Sequence, residues 1–318
     1  MRKPGTDHGF PLPRGSDNRG LSPVFGNLPV ALRGALWMVG ALLSFSLMAV
    51  SVRELLHSME SFEILFIRSF MSLLFLLFLL PSRGLAALRT RHFGLHVLRN
   101  FFHFGGQYAW VYAISMLPLA TVFAIEFTMP VWAAVLAMLF LGERLNQGRV
   151  VMLSLGIAGV FVMLRPGVAV IQPAALVMLL GAFAYASTMV ATKRLSGQDS
   201  AFAILFYMAV IQLPLGLIPA LPHWVWPGVR DLPWVIVIGV VGLSAHYCMT
   251  RAFRLADSMV VVPIDFLRLP LIAVVGMLFY GEPLELPIML GAAVIFAGTF
   301  YSIRRESRKP GTDHGLSA

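Results

Sequence analysis

Charge is what this sequence has least of. Asp, Glu, Lys and Arg together make up 12% of the 318 residues, where an average soluble domain carries about 25%. Hydrophobic residues make up 58%, and a water-soluble chain of this length could not hide that much apolar surface. Cysteine is reduced to one, Cys248, which excludes an intramolecular disulfide; set in an apolar stretch, it reads as a small packed residue. The sequence has no G-x-x-x-x-G-K-[ST] loop, no H-E-x-x-H, no G-x-S-x-G and no Cys/His cluster with metal-ligand spacing. ATP drive is therefore not encoded in this chain, and neither an enzyme nor a cofactor is expected. The net charge of +9 raises nucleic acid as a partner, but the basic residues gather in no single patch, so none is expected.

What is present is a series of long apolar runs. A membrane-spanning helix needs roughly 17–25 mostly apolar residues. Ten such runs are read, at about 32–52, 61–80, 95–116, 119–141, 147–165, 172–192, 202–220, 233–255, 258–280 and 286–303. The runs are continuous rather than alternating, which argues against a β-barrel. Residues 1–30 are polar and rich in Gly and Pro. The apolar run after them is too long for a signal-peptide core, so the first span is expected to serve as the targeting signal. The octapeptide RKPGTDHG occurs at 2–9 and again at 308–315; both copies lie in polar tails, and no function is assigned to them.

The basic residues orient the spans. Alternate loops and the two tails carry nineteen of the 24 Lys and Arg residues, among them Arg83, Arg89, Arg91, Arg144, Arg149, Lys193, Arg194, Arg251, Arg254, Arg304 and Arg305. The opposite loops carry three, Arg53, Arg165 and Arg230, each group counted with the span ends beside its loops, and two more, Arg68 and Arg268, fall deep inside spans. The bias predicts cytoplasmic N- and C-termini. Trp224, Trp226 and Trp234 in the outer loop 221–234 suit an interfacial aromatic belt.

The halves of the chain resemble each other. At an offset of 139, AAVLAMLFLGERL (133–145) lies over IAVVGMLFYGEPL (272–284), Glu126-Phe127 over Asp265-Phe266, and Gln107-Tyr108 over His246-Tyr247. At 141, Gly40, Ala41, Ser46 and Met48 lie over Gly181, Ala182, Ser187 and Met189. Each half holds five spans, an odd number, so the second half enters the membrane inverted. Inverted repeats are a construction of secondary transporters, with the substrate site between the halves. The expected fold is an all-α membrane protein of ten transmembrane helices in two inverted five-helix repeats. Its expected parts are a cytoplasmic tail (1–30), repeat 1 (31–165), repeat 2 (172–305) and a second tail (306–318).

The segments LATVFAIEFTMPVWAAVLAMLFLGERL (119–145) and VVPIDFLRLPLIAVVGMLFYGEPL (261–284) resemble the drug/metabolite transporter superfamily, EamA type, and the resemblance covers about 31–305. It implies a ten-helix bundle with both termini inside, a central cavity and alternating access, with export the commoner direction. A multi-pass protein of the cell inner membrane follows, and a homodimer stays open.

An ionisable group at mid-bilayer costs about 2.5–3.5 kcal/mol on insertion scales, so each one needs a reason. Glu126 and Asp265 occupy equivalent positions, each about 10 Å into its span at 1.5 Å per residue. Either could couple transport to a proton gradient; Asp265 could instead simply neutralise Arg268, three residues on. Arg68 and Arg268 come from different halves and suit a carboxylate-bearing cargo, although Glu63 is an alternative partner for Arg68. Arg99, His103, Gln107 and Trp110 share one face of span 3, with Tyr108 beside them, and His246 and Tyr247 are the repeat counterparts of Gln107 and Tyr108. That face should look into the bundle, lining a cavity or bonding between helices. The expected substrate contacts are therefore Arg68, His103, Gln107, Tyr108, Trp110, His246, Tyr247 and Arg268. Pro130, Pro263 and Pro270 interrupt spans 4 and 9, and Gly142-Glu143 and Gly281-Glu282 end them in a capping or hinge role.

The function expected is a proton-coupled exporter of a small amino-acid-like metabolite, an amino acid or an opine-type metallophore. Import of riboflavin or S-adenosylmethionine is the alternative. Riboflavin lacks a carboxylate, while the sulfonium of S-adenosylmethionine would suit Trp110, Tyr112 and Glu126. A membrane enzyme, a lipid chaperone and a channel are the readings from other classes.

Overall fold

A computed structural model of the chain describes residues 29–141, 146–165, 172–196, 198–256 and 258–307. No strand occurs among them, and twelve α-helices form ten spans. The first repeat contains α1 (Val30–Leu55), α2 (Ser61–Arg83), α3 (Phe93–Met116), α4 (Leu119–Glu126), α5 (Met129–Leu141) and α6 (Gln147–Leu164). The second contains α7 (Pro173–Ser196), α8 (Ala201–Ala220), α9 (Leu232–Leu255), α10 (Ser258–Phe266), α11 (Arg268–Tyr280) and α12 (Leu286–Ser307). Local chemistry sets the ends. Asn146 and Ser200 cap α6 and α8 by accepting from the backbone N–H groups of Arg149 and Ala203. Gly281, at φ 62°, ends α11 in the left-handed region that glycine tolerates.

Nine spans among the described residues are both long and apolar enough to cross a bilayer. The tenth, α3, has the length with 24 residues, but Arg99, Asn100, His103 and Gln107 lower its hydropathy. Spans 4 and 9 are each discontinuous. α4 stops at Glu126 and α5 resumes at Met129, while α10 stops at Phe266 and α11 resumes at Arg268. Pro130 and Pro270 each lack the N–H that would carry the helix across its break.

The repeats interlock rather than sit side by side. α1 packs along α9 and α3 along α7, a reciprocal exchange between spans 1 and 8 and spans 3 and 6. α2 packs on α8, α6 on α12, and α4 on α11, so each of these spans meets its own counterpart. α6 and α12 come close enough that a Cβ on Gly159 would stand 2.7 Å from the Gly291 carbonyl oxygen, which only glycine permits. The repeat-equivalent rings of Phe127 and Phe266 stack at 4.2 Å with planes 15° apart. Residues related by a two-fold meet each other on its axis, so the pseudo-axis passes between the two helix breaks. Phe78, Leu180, Val240 and Phe279 are exposed on the outside of the bundle, as a lipid-facing surface requires.

Candidate functional site

Three groups of polar side chains gather in the interior. The first lies on α3, where Arg99, His103, Gln107 and Trp110 are all buried. The Arg99 Nε donates to Thr192 Oγ1 at 2.8 Å on α7, tying the stripe to the other repeat. His103 Nδ1 lies 3.0 Å from the Gln107 amide nitrogen and 2.7 Å from that of Gln212 on α8. Gln212 was not among the expected residues.

The second group lines a cavity of about 10 Å³, room for one water, formed by Arg68, Ser69, Ser72, Gln212, Gly242 and His246 among others. Arg68 donates to Gln212 Oε1 at 3.4 Å. Among the described residues no carboxylate lies within 4.0 Å of it, so the expected alternative of a pair with Glu63 is not formed. Gly242 faces the arginine stem, leaving it space.

The third group lies at the helix breaks. The Arg268 guanidinium, first residue of α11, stands 3.2 Å from Glu126 Oε1 and 3.6 Å from Asp265 Oδ1. Trp110 Nε1 donates to the other Glu126 oxygen at 2.9 Å. Phe45, Phe123 and Phe127 surround the guanidinium, their ring centres at 4.8, 5.1 and 5.1 Å. Glu126 thus has a basic partner from the other repeat, 142 positions away. Arg268 is neutralised inside the protein, unlike Arg68. Rings link the two regions, because His246 is edge-on to both His103 (6.0 Å) and Phe45 (5.7 Å).

Two expected contacts stand apart. Tyr108 stacks on Phe62 at 4.4 Å and on Tyr112, on a different side of α3 from the polar stripe. Tyr247 is exposed and packs edge-on against Trp37. Tyr112 accordingly stands with Tyr108, not with Trp110 and Glu126.

A fourth cluster closes the end of the bundle away from the chain termini. Arg53 Nη2 pairs with Glu282 Oε1 at 2.6 Å and donates to the Leu117 carbonyl at 2.7 Å. Glu282 Oε2 accepts from the Leu119 backbone N–H, and Tyr280 donates to Glu54. Gly281-Glu282 therefore both ends a helix and ties the repeats together. Gly142-Glu143 lies outside the described residues.

This bundle, broken in both halves at one pseudo-axis, has matches among known proteins. The model of the EamA-like transporter family matches residues 32–165 and again 172–304. The chain belongs to the EamA-like transporter family. It is 28% identical over 287 residues to the S-adenosylmethionine uptake transporter of Rickettsia prowazekii (strain Madrid E), covering 90% of this chain and 98% of the relative. It is 32% identical over 282 residues to the riboflavin transporter of Rhizobium johnstonii, covering 88% and 93%. It is 28% identical over 269 residues to the pseudopaline exporter CntI of Pseudomonas aeruginosa (strain UCBPP-PA14), covering 83% and 94%. A solved crystal structure with 18% identity aligns at a TM-score of 0.60 over 86% of this chain and 98% of the other, which shows the shared fold. An EamA-like chain of this kind is a multi-pass membrane protein that transports a small molecule. Family and relatives point to a transporter rather than an enzyme.

Proposed function

We propose that this EamA-like protein is a secondary transporter of the inner membrane for a small amino-acid-like solute that bears both a carboxylate and a cationic centre. The observation that supports this most is the separation of unlike poles: Arg68 has no carboxylate partner among the described residues, while Glu126 and Asp265 share one arginine and keep a net negative charge. A half-buried arginine without an acid suits a solute carboxylate, and two acids among aromatic rings suit an onium or ammonium group. S-adenosylmethionine carries all of these groups, and uptake is the direction inferred, in line with relatives named for it. Riboflavin offers neither pole. Export of an opine-type metallophore is the second reading, favoured by the relative named as a pseudopaline exporter.

The proposed contacts are Arg68, His246, His103 and Gln107 at one pole, and Glu126, Asp265 and Trp110 at the other, where Arg268 balances the acids in the empty carrier. Glu126 and Asp265 also serve proton coupling: one proton or one solute cation would cancel the remaining charge, so the two compete. The repeats 31–165 and 172–305 would rock against each other about the stacked Phe127 and Phe266, with both termini cytoplasmic.

Uptake of labelled S-adenosylmethionine into proteoliposomes tests the reading. Saturable uptake should be competed by other amino-acid-like zwitterions and not by riboflavin, and R68A should raise KM at least tenfold. Riboflavin uptake that zwitterions leave untouched would overturn it. Proton coupling is tested in the same vesicles: if E126Q and D265N both keep the wild-type pH dependence, the two acids do not carry it.

A further inference from the structure

We infer that Arg268 is a tethered stand-in for the solute's cationic group, and that a solute cation enters the Glu126–Asp265 site by displacing it. The inference rests on the two-pole reading above for the nature of the solute, and on the geometry around Arg268 for the displacement.

The surroundings of Arg268 are those of a cation receptor. Two carboxylates and three phenylalanine rings converge on one guanidinium. A permanent structural pair between arginine and a carboxylate is commonly bidentate, at about 2.7–2.9 Å. Here one contact to Glu126 is 3.2 Å and the approach of Nε to Asp265 is 3.6 Å. Arg268 Nε and Asp265 Oδ1 are both buried and neither has a hydrogen-bond partner. The arginine occupies the site without saturating it.

Access runs the right way for exchange. The side chains of Glu126 and Asp265 are 15% and 26% exposed, that of Arg268 only 6%. An incoming cation therefore meets the acids before it meets the arginine. Arg268 is also the first residue of α11, directly after the break at Leu267, so the arm hangs from a helix end and not from mid-helix. The ring of Phe45 connects it to His246 and so to the cavity beside Arg68. A solute whose carboxylate is held at Arg68 would bring its cationic end towards the site that Arg268 holds.

A tethered competitor has two consequences. The apparent affinity for a free cation is the intrinsic affinity reduced by the fraction of time the arginine is away. The empty carrier can also return across the membrane with its acid pair partly neutralised, which an uncovered pair could not do cheaply.

The test is calorimetric titration of the purified full-length protein with trimethylsulfonium, a cation without a carboxylate, so Arg68 plays no part. R268A should bind it at least tenfold more tightly than wild type, R268K should stay within about threefold of wild type, and adding E126Q to R268A should abolish the gain. If R268A does not remain monodisperse, R268Q, which keeps the side-chain volume, replaces it in the same titration. A folded R268A or R268Q that binds trimethylsulfonium no more tightly than wild type overturns the inference. Tighter binding alongside failed zwitterion uptake would leave the displacement standing and remove the amino-acid reading instead.

Discussion

Arg68 and Arg268 are the same side chain in opposite repeats, and the bundle treats them in opposite ways. Arg268 is 5% exposed, faces two carboxylates and is ringed by three phenylalanines. Arg68 lies against hydroxyls, a histidine and the Gln212 amide, beside a cavity the size of one water. Inside a bilayer a permanent charge needs a counter-charge. Where the protein supplies it, the empty site is balanced from within; where it does not, a ligand or water must do so. The difference separates a site that the protein fills for itself from one left for the solute, and removing an acid from the first should cost more stability than removing the arginine from the second.

The sharpest way to break that comparison is to remove the counter-charge from one side. Glu126→Ala leaves Arg268 with Asp265 at 3.6 Å and leaves Trp110 Nε1 without its acceptor. Losing the acceptor of the Arg268 and Trp110 hydrogen bonds costs about 1.5–3 kcal/mol, so thermal unfolding in detergent should show a clear loss of stability. Arg68→Ala removes only a 3.4 Å hydrogen bond to Gln212, and its stability should change by about 1 kcal/mol while KM rises. Equal loss of stability in the two variants would show that both arginines are structural.

Much of this architecture can be read in the sequence, and the rest fails for identifiable reasons. The bilayer demands long apolar runs and the basic residues alternate between loops, so the spans fall within a few residues of their observed bounds. Pro130 and Pro270 announce the two breaks. The Glu126–Arg268 pair is invisible to local spacing, because the inverted repeats alone bring α4 to α11. The repeat register carried a signal that could have found it: if Glu126 and Asp265 are equivalent and their helices meet at the axis, Arg268 must lie near both. Tyr108 and Tyr247 illustrate the opposite failure. Neighbours in a helix point about 100° apart, so a residue beside Gln107 or His246 in sequence faces elsewhere in space. Phe45 and Gln212 carry no motif and gain their place only through packing.

A third arginine extends the comparison to a closely held pair. Arg53 Nη2 lies 2.6 Å from its acid partner, Glu282. Glu282→Gln keeps an acceptor and the side-chain volume, so it should cost less than Glu126→Ala, about 1.5 kcal/mol, while loosening the end of the bundle where the two repeats are tied. Gly276 leaves room for the Glu282 carboxylate, and a Cβ there would strike it. Gly276→Ala should then copy the phenotype of Glu282→Gln. Both can be followed as increased thiol labelling of a cysteine placed at Leu119, whose backbone N–H Glu282 accepts. Unchanged labelling in both variants would mean that the Arg53–Glu282 pair does not hold that end closed.

The smallest effect is expected where an acid pairs with histidine at the bundle's other end. Asp199, in the loop between α7 and α8, accepts from Thr90 Oγ1 at 2.6 Å and lies 2.7 Å from His96 Nε2. Burial pushes its carboxyl up, but the hydrogen bonds from Thr90 and His96 outweigh that and hold it below the ordinary value of 3.8. A depressed carboxylate contributes stability that is fully present above the unfolded value and lost as pH falls through the folded one. Asp199→Asn keeps an acceptor and removes only the charge, so the difference from wild type should be under about 1 kcal/mol at neutral pH. It should hold steady down to about pH 4 and shrink below that, as wild type also becomes protonated. A difference that instead grows on acidification would mean that Asp199 is destabilising when charged. Asp199 and His96 would then resemble a site awaiting a ligand, as Arg68 does, and not a pair that steadies the fold.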